Sequence, residues 1–301
     1  MLAAEIRDEA IVSNRHTEGV MRNRKKIMDN KIKDEIKNII CLSEVNGGYY
    51  WARHDGNIHA PYGFSTIDVL NTLGDIGLHA ADSKIVLDAI EFIFTYFDEK
   101  GCFKYSPKSS KLPCITALIL TAFGRLGYKK DKRIQKCYQY LLETQQKDGG
   151  WRCNTVKLGK SPATDSSNPG TTLYVLDAFR FKTNIKDYIS QLDKGVLFLL
   201  KHWDTRTPLG PCEFGIGKRF LSIEYPFLRY NLFYYVYVLS KYNSAHKDER
   251  YKDALNTLIM KTRDNKIFPE TPHKSWQQYS FAQKNKYSEI ATKRFKEIMS
   301  I

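Results

Sequence analysis

Apolar residues recur along this chain at three- and four-residue spacing, in blocks separated by glycine, proline or short polar turns. Ile32, Ile36, Ile39 and Ile40 predict an amphipathic helix that stops before Asn46-Gly47-Gly48. Pro61 opens the next block, with Ile67, Leu70 and Leu73 on one face and Gly77-Leu78 at its end, and a partner covers about 83–97. Pro113 opens Ile115 to Phe123, closed by Gly127-Tyr128, with a partner over about 131–145. Pro169 opens Leu173 to Phe179, with a partner over about 188–202. Pro226 opens an aromatic block (Tyr230, Phe233, Tyr234, Tyr235, Tyr237), with a partner over about 249–262. Pro272 precedes Trp276 and a basic final helix to Ile301. Proline suits a first helical turn, because the N–H it lacks has no partner there.

A turn leading to an aromatic residue accompanies each proline: Tyr49/Trp51, Phe103, Trp151, Phe214 and Phe268. A two-helix unit repeating every ~50 residues predicts stacked αα-hairpins, an all-α fold. Strand alternation and hairpin turn chemistry are lacking. The proline-initiated blocks are more apolar than their partners, which carry more Lys and Asp, so the former are expected inside and the latter outside. Residues 1–30 are polar and charged, with RNRKK at 22–26, and read as an exposed arm or helix; 31–301 read as one domain.

Composition adds little to that frame. At 301 residues, 42% hydrophobic and 27% charged, the chain is ordinary for a globular protein. It has no apolar run long enough to span a membrane, and its first residues lack the apolar core of a signal peptide. Six cysteines lie scattered without metal-ligand spacing, so reduced thiols, a cytoplasmic setting and no metal or cofactor are expected. Charge changes the picture more. Residues 100–160 hold fourteen Lys/Arg against three Asp/Glu, which reads either as a solvated Lys-rich surface or as a site for an anionic group such as a diphosphate or lipid head group. No nucleic-acid motif accompanies it, so nucleic acid is not an expected partner.

The segment 137–153, CYQYLLETQQKDGGWRC, carries the sharpest local signal. Tyr140, Leu141, Gln145, Gly149 and Trp151 fill the fixed places of (F/Y/W)-L-x3-Q-x2-5-G-x-W, which resembles the QW motif of squalene and oxidosqualene cyclases. YPFLRYNLFYYVYVLSKY at 225–242 and TPHKSW at 271–276 are similar to stretches of bacterial squalene-cyclase-like, prenyltransferase-like proteins of unassigned activity. The resemblance covers about residues 30–300. It implies the α/α toroid of terpenoid cyclases and protein prenyltransferase β subunits: two concentric helix layers, about five hairpins, and a central cavity reached past the N-terminal ends of the inner helices. An isoprenoid-like or other amphiphilic molecule is the ligand so implied, with aromatic walls able to face a carbocation.

Two departures matter. The DxDD acid motif of type II cyclisation is absent, its nearest counterpart being Asp165-Ser166-Ser167-Asn168. The Asp, Cys and His of the prenyltransferase zinc site are not matched either: Ser167 stands two residues after Asp165, and Cys153, Cys212 and His273 do not complete a set. Candidate acids are Asp68, Asp165 and Glu224; candidate cavity residues are Trp51, His54, Tyr62, Trp151, Tyr225, Arg229, Tyr230, His273 and Trp276, with Arg53 and His59 also near predicted inner-helix ends. Plainer roles stand beside these: Asp165 as an N-terminal helix cap, Glu224 and Arg229 as an ion pair across Pro226, the tyrosines of 230–237 as core. The alternative function is a non-catalytic toroid module that binds a peptide or anionic partner.

Overall fold

The computed structural model describes residues 30–301, so the arm expected at 1–30 lies outside the described residues, apart from its last position. The chain divides after Leu42. The first unit contributes helix α1, residues 30–41. The second, Ser43–Ile301, contains α2 (Thr66–Asp75), α3 (Lys84–Phe94), α4 (Pro113–Arg125), α5 (Lys132–Glu143), the one-turn α6 (Pro162–Asp165), α7 (Pro169–Phe179), α8 (Ile189–Thr205), α9 (Leu232–Leu239), the one-turn α10 (Asn243–His246), α11 (Glu249–Ile259) and α12 (Glu289–Met299). Phe97–Asp98 (β1) and Cys102–Phe103 (β2) form a small antiparallel hairpin that the sequence pattern does not signal. Gly101 takes a left-handed φ of 82° in its turn.

Within this second unit the helices sort by burial as the apolar density predicts. Every residue of α2, α7 and α9 is buried. α5 buries Ile134, Cys137, Tyr138, Leu141 and Leu142, and α11 buries Tyr251, Ala254 and Leu258, one stripe each with the opposite face in water. α2 packs on α4, α4 on α7, α7 on α9 and α9 on α12, while α3, α5, α8 and α11 lie outside them. The row then closes: Arg294 of α12 lies 3.1 Å from an Asp75 carboxylate oxygen at the end of α2, and Trp276 Nε1–H donates to the Gly63 carbonyl just before α2. The fold is an all-α toroid of two concentric layers.

Two prolines sit differently from their expected place. Pro113 and Pro169 are first helical residues. Pro61 and Pro226, each after a cis peptide bond, precede their helices by several residues, and Ser65 and Asn231 do the capping. After Pro272 come two 3-10 turns, Lys274–Trp276 and Ser280–Ala282, before α12 begins.

Three of the joints between hairpins share one bond. The backbone N–H of Phe103 donates to Thr116 Oγ1 at 3.1 Å, that of Trp151 to Thr172 Oγ1 at 3.0 Å, and that of Ile267 to Thr292 Oγ1 at 2.9 Å. Each threonine is the fourth residue of the helix it belongs to, α4, α7 or α12. At the 137–153 joint, Trp151 is fully buried and its indole N–H donates to the Leu141 carbonyl at the end of α5. Gln145 Nε2 bridges the Gly149 and Gln191 carbonyls, tying this turn to the start of α8. The Leu141 carbonyl lies in the last turn of α5 and the Gly149 carbonyl in the turn, so the tryptophan and the glutamine each satisfy a group that the helix end or turn leaves unpaired.

Candidate functional site

The two ends of the ring differ in chemistry. At the C-terminal ends of the inner helices, a buried charged network links all five. Asp177 of α7 accepts from Arg125 of α4 at 2.8 Å, from Tyr234 of α9 at 2.6 Å and from Arg180, which caps α7. Asp75 of α2 accepts from Tyr225 Oη at 2.6 Å and faces Arg294 and Arg125. Tyr237 donates to Glu297 at 3.0 Å, and Arg294 pairs with Glu297 at 2.7 Å. Burial would push the Asp75 carboxyl up, but Arg294 and Arg125 win and hold it below the usual carboxylate range. Three acids meet three arginines, so this end is filled and neutral.

The other end is hollow. A cavity of about 490 Å³ lies where the inner helices begin, a size typical of small-molecule sites. Cys114 sits on the first turn of α4, Thr171 and Tyr174 on the start of α7, His59 and Tyr62 ahead of α2, and Leu228, Arg229 and Tyr230 ahead of α9. Glu213, Phe214, Gly215, Arg219, Phe220 and Glu224, from the connection between α8 and α9, complete the wall with Leu118, Cys153 and Cys212.

Glu224 is the buried acid of this wall, 2% exposed. Its Oε2 accepts from the Arg229 guanidinium, while its Oε1 has no partner. Burial pushes the Glu224 carboxyl up to about 8; Arg219 opposes this and the Asp68 carboxylate adds to it. A buried carboxyl oxygen without a donor is costly, and it is relieved when the group is protonated or a ligand supplies the hydrogen bond. His59 Nδ1, also on the wall, is likewise without a partner.

Tyr230 is oriented by His202. His202 Nε2 lies 2.9 Å from the Thr207 carbonyl, which can only accept, so that nitrogen carries the proton. Nδ1 then accepts from Tyr230 Oη at 2.9 Å. Burial lowers the His202 pKa and keeps the ring neutral. Phe220 packs 4.7 Å and Phe214 5.7 Å from the Tyr230 ring, centroid to centroid, forming an aromatic corner on the cavity.

Of the residues singled out in the sequence, the structure brings His59, Tyr62, Glu224, Arg229 and Tyr230 together on this wall. The others fall elsewhere. Asp68 closes a capping box with Ser65 and accepts from the Gly63 N–H at 2.8 Å, so it organises the start of α2. Asp165 ends α6 and accepts from the Gly159 N–H; Asn168, not Asp165, caps α7. Trp51, Trp151 and Trp276 are fully buried core. Tyr225 belongs to the charged network. Arg53 and His54 line a separate depression of about 450 Å³ near Tyr49 and Tyr96. His273 packs edge-on against Tyr62 at 5.6 Å.

A minority of the basic segment's charges are answered by acids from elsewhere: Lys111 by Asp98, Lys136 by Glu99, Arg125 by Asp177 and Asp75. Arg133 pairs with Asp131 and lies 3.6 Å above the Phe94 ring. Missed in the sequence were Cys114, Cys153, Cys212, Tyr174, Arg219, Phe214 and Phe220 as wall residues. Phe214 and Cys114 had a usable signal, since both stand at the turn-to-inner-helix junctions that the repeat marks. Among the described residues, no group of three or more His, Cys, Asp or Glu is arranged to hold a metal ion, and no helix is long and apolar enough to cross a membrane.

No family model and no curated protein matches the chain. Among solved structures the likeness is to a type II terpene cyclase. Three structures of MstE from Scytonema align: one in complex with its product merosterolic acid A (12% identity, TM-score 0.47, 90% of this chain and 74% of that one), one with its substrate geranylgeranyl dihydroxybenzoate (13%, 0.48, 90% and 72%), and the apo enzyme (13%, 0.47, 90% and 74%). At this distance the likeness concerns the course of the chain; the site has to be read from its own residues.

Proposed function

We propose that the cavity takes an isoprenoid-like, amphiphilic small molecule and that Glu224 is the acid which acts on it. The unpartnered Glu224 Oε1 on an aromatic-walled cavity carries this reading. A carboxyl raised to about 8 keeps its proton at neutral pH and can donate it in a hydrogen bond to a polar head group. The faces of Tyr174, Tyr230 and Phe220 offer negative quadrupoles to positive charge developing on a hydrocarbon chain. Exposed Arg219 at the mouth suits an anionic or hydroxylated head group, and Leu118 and Leu228 suit the tail.

The test is titration of the full chain with farnesol and geranylgeraniol, read by tyrosine and tryptophan fluorescence and by calorimetry. Micromolar binding that is lost in Leu118→Trp, with the circular dichroism spectrum kept, is the expected outcome. Equal binding by wild type and Leu118→Trp, or none up to the ligands' solubility, overturns the cavity assignment. Glu224→Gln separates the acid from the site: binding is retained and any turnover is lost. Binding retained with no turnover by wild type favours the non-catalytic module, a reading supported by the missing DxDD motif.

A further inference from the structure

A second cavity, of about 480 Å³, lies where α7 and α9 finish, and its wall shares no residue with that of the first. Arg180 and Phe181 reach it just after α7, and Lys241 just after α9. The 3-10 turn Ile185–Tyr188 and the start of α8 add Ile185, Ile189, Leu192 and Asp193, and the one-turn α10 adds Ser244. Ile189 is exposed although apolar, and Phe181 and Ile185 are only half-buried. This hollow therefore keeps an apolar lining in contact with water, and its volume is in the range of small-molecule sites.

Two opposite charges on this wall lack counter-ions. Arg180 is matched, since it bonds Asp177 and donates to Tyr237 Oη at 3.1 Å. Lys241 is not. Its Nζ donates to the Glu297 backbone carbonyl at 3.3 Å and lies 5.3 Å from the centre of the Tyr237 ring, and no carboxylate among the described residues pairs with it. Burial lowers the Lys241 pKa, Arg180 lowers it further, and Glu297 offsets this only in part. Asp193 accepts from Ser244 Oγ at 2.6 Å, and no cation among the described residues pairs with it, Lys241 included. An anion bound beside Lys241 would leave Asp193 facing a like charge, and a cation bound beside Asp193 would leave Lys241 doing so. A ligand with both charges answers both groups.

We propose that this second cavity is a binding site for a zwitterionic small molecule with an apolar body, of the class of an apolar dipeptide, whose carboxylate meets Lys241 and whose ammonium meets Asp193. Phe181, Ile185, Ile189 and Leu192 cover the apolar side chains. Each charged end gains a charge-assisted hydrogen bond in a half-buried setting, where such bonds count for more than in open water. Lys241 and Asp193 come from the ends of different helices, so the ligand also bridges the finish of α9 to the start of α8. The site is independent of whatever the first cavity holds.

The test is calorimetric titration of the full chain at neutral pH with three probes: leucyl-leucine, its N-acetyl derivative, which lacks the ammonium, and its C-terminal amide, which lacks the carboxylate. Leucyl-leucine is expected to bind with a dissociation constant below about 1 mM, and each derivative at least about ten times more weakly. Lys241→Met should bring the amide level with leucyl-leucine, and Asp193→Asn should do the same for the acetylated peptide, with circular dichroism spectra unchanged. Leu118→Trp, which obstructs the first cavity, should leave leucyl-leucine binding as it was. The three-probe comparison on the wild-type chain stands even if a variant fails to fold. Equal binding of all three probes, binding of one derivative as tight as that of leucyl-leucine, no binding up to the solubility of the peptide, or loss of binding in Leu118→Trp would each overturn the assignment.

Discussion

At the residue scale, the molecule turns on a few polar side chains whose partners are fixed by geometry. Glu224 gives a pH prediction with a definite sign. Its folded pKa is raised to about 8, so the folded state holds a proton that the unfolded chain releases near the ordinary carboxylate value. Stability therefore declines as pH rises from about 4.5 to about 8 and then levels off. Melting curves across that range should show the decline in wild type and a flatter profile in Glu224→Gln; identical slopes would refute it. Trp151 gives a packing prediction. Trp151→Phe loses the bond to the Leu141 carbonyl and part of the buried ring, and is expected to cost about 2–3 kcal/mol by denaturant unfolding. Gly195→Ala should destabilise as well, because a Cβ there would come within 2.9 Å of the Trp151 ring.

At the element scale, α4, α7 and α12 are held at their two ends by different things. Their starts are held by a joint bond such as Trp151 N–H to Thr172, and their finishes by the network of Asp75, Asp177, Arg125, Arg180 and Arg294, which α2 and α9 also join. Removing one partner from that network leaves its counter-charge buried. Asp177→Asn is expected to lower stability by about 3–5 kcal/mol and to leave binding of the proposed isoprenoid-like ligand unchanged. Differential scanning calorimetry beside a binding titration checks both halves. The repeat of two helices, the layer each helix joins and the aromatic joints were legible in sequence, because they rest on local periodicity and on glycine and proline chemistry. The network was not legible. Asp75 and Arg294 are more than two hundred residues apart, and no local pattern states that two charges will neutralise each other across a closed ring. Asp68 misled for a related reason: a carboxylate at the third helical position fits a capping box with Ser65 as readily as a catalytic site. The cavity's cysteines were hidden likewise, since Cys114, Cys153 and Cys212 share no spacing and reach one wall only through the fold.

At the scale of the whole molecule, closure separates this ring from an open solenoid. In a solenoid, loss of the terminal repeat removes one repeat's share of stability and leaves the rest folded. Here α12 carries Arg294 and Glu297 into the shared network, so truncation before Glu289 should abolish cooperative unfolding altogether, as followed by circular dichroism and calorimetry. A truncated chain that melts in one sharp transition would argue against closure. The charged network has one more consequence. With that end filled, the hollow is a cul-de-sac and not a tunnel: whatever enters tail first must leave head first. A proposed ligand longer than the hollow could not be threaded through, so its surplus would project from the mouth, beside Arg219. Occupancy time is then set at that rim alone, and changes there should alter entry and exit rates together while changes at the opposite pole alter neither.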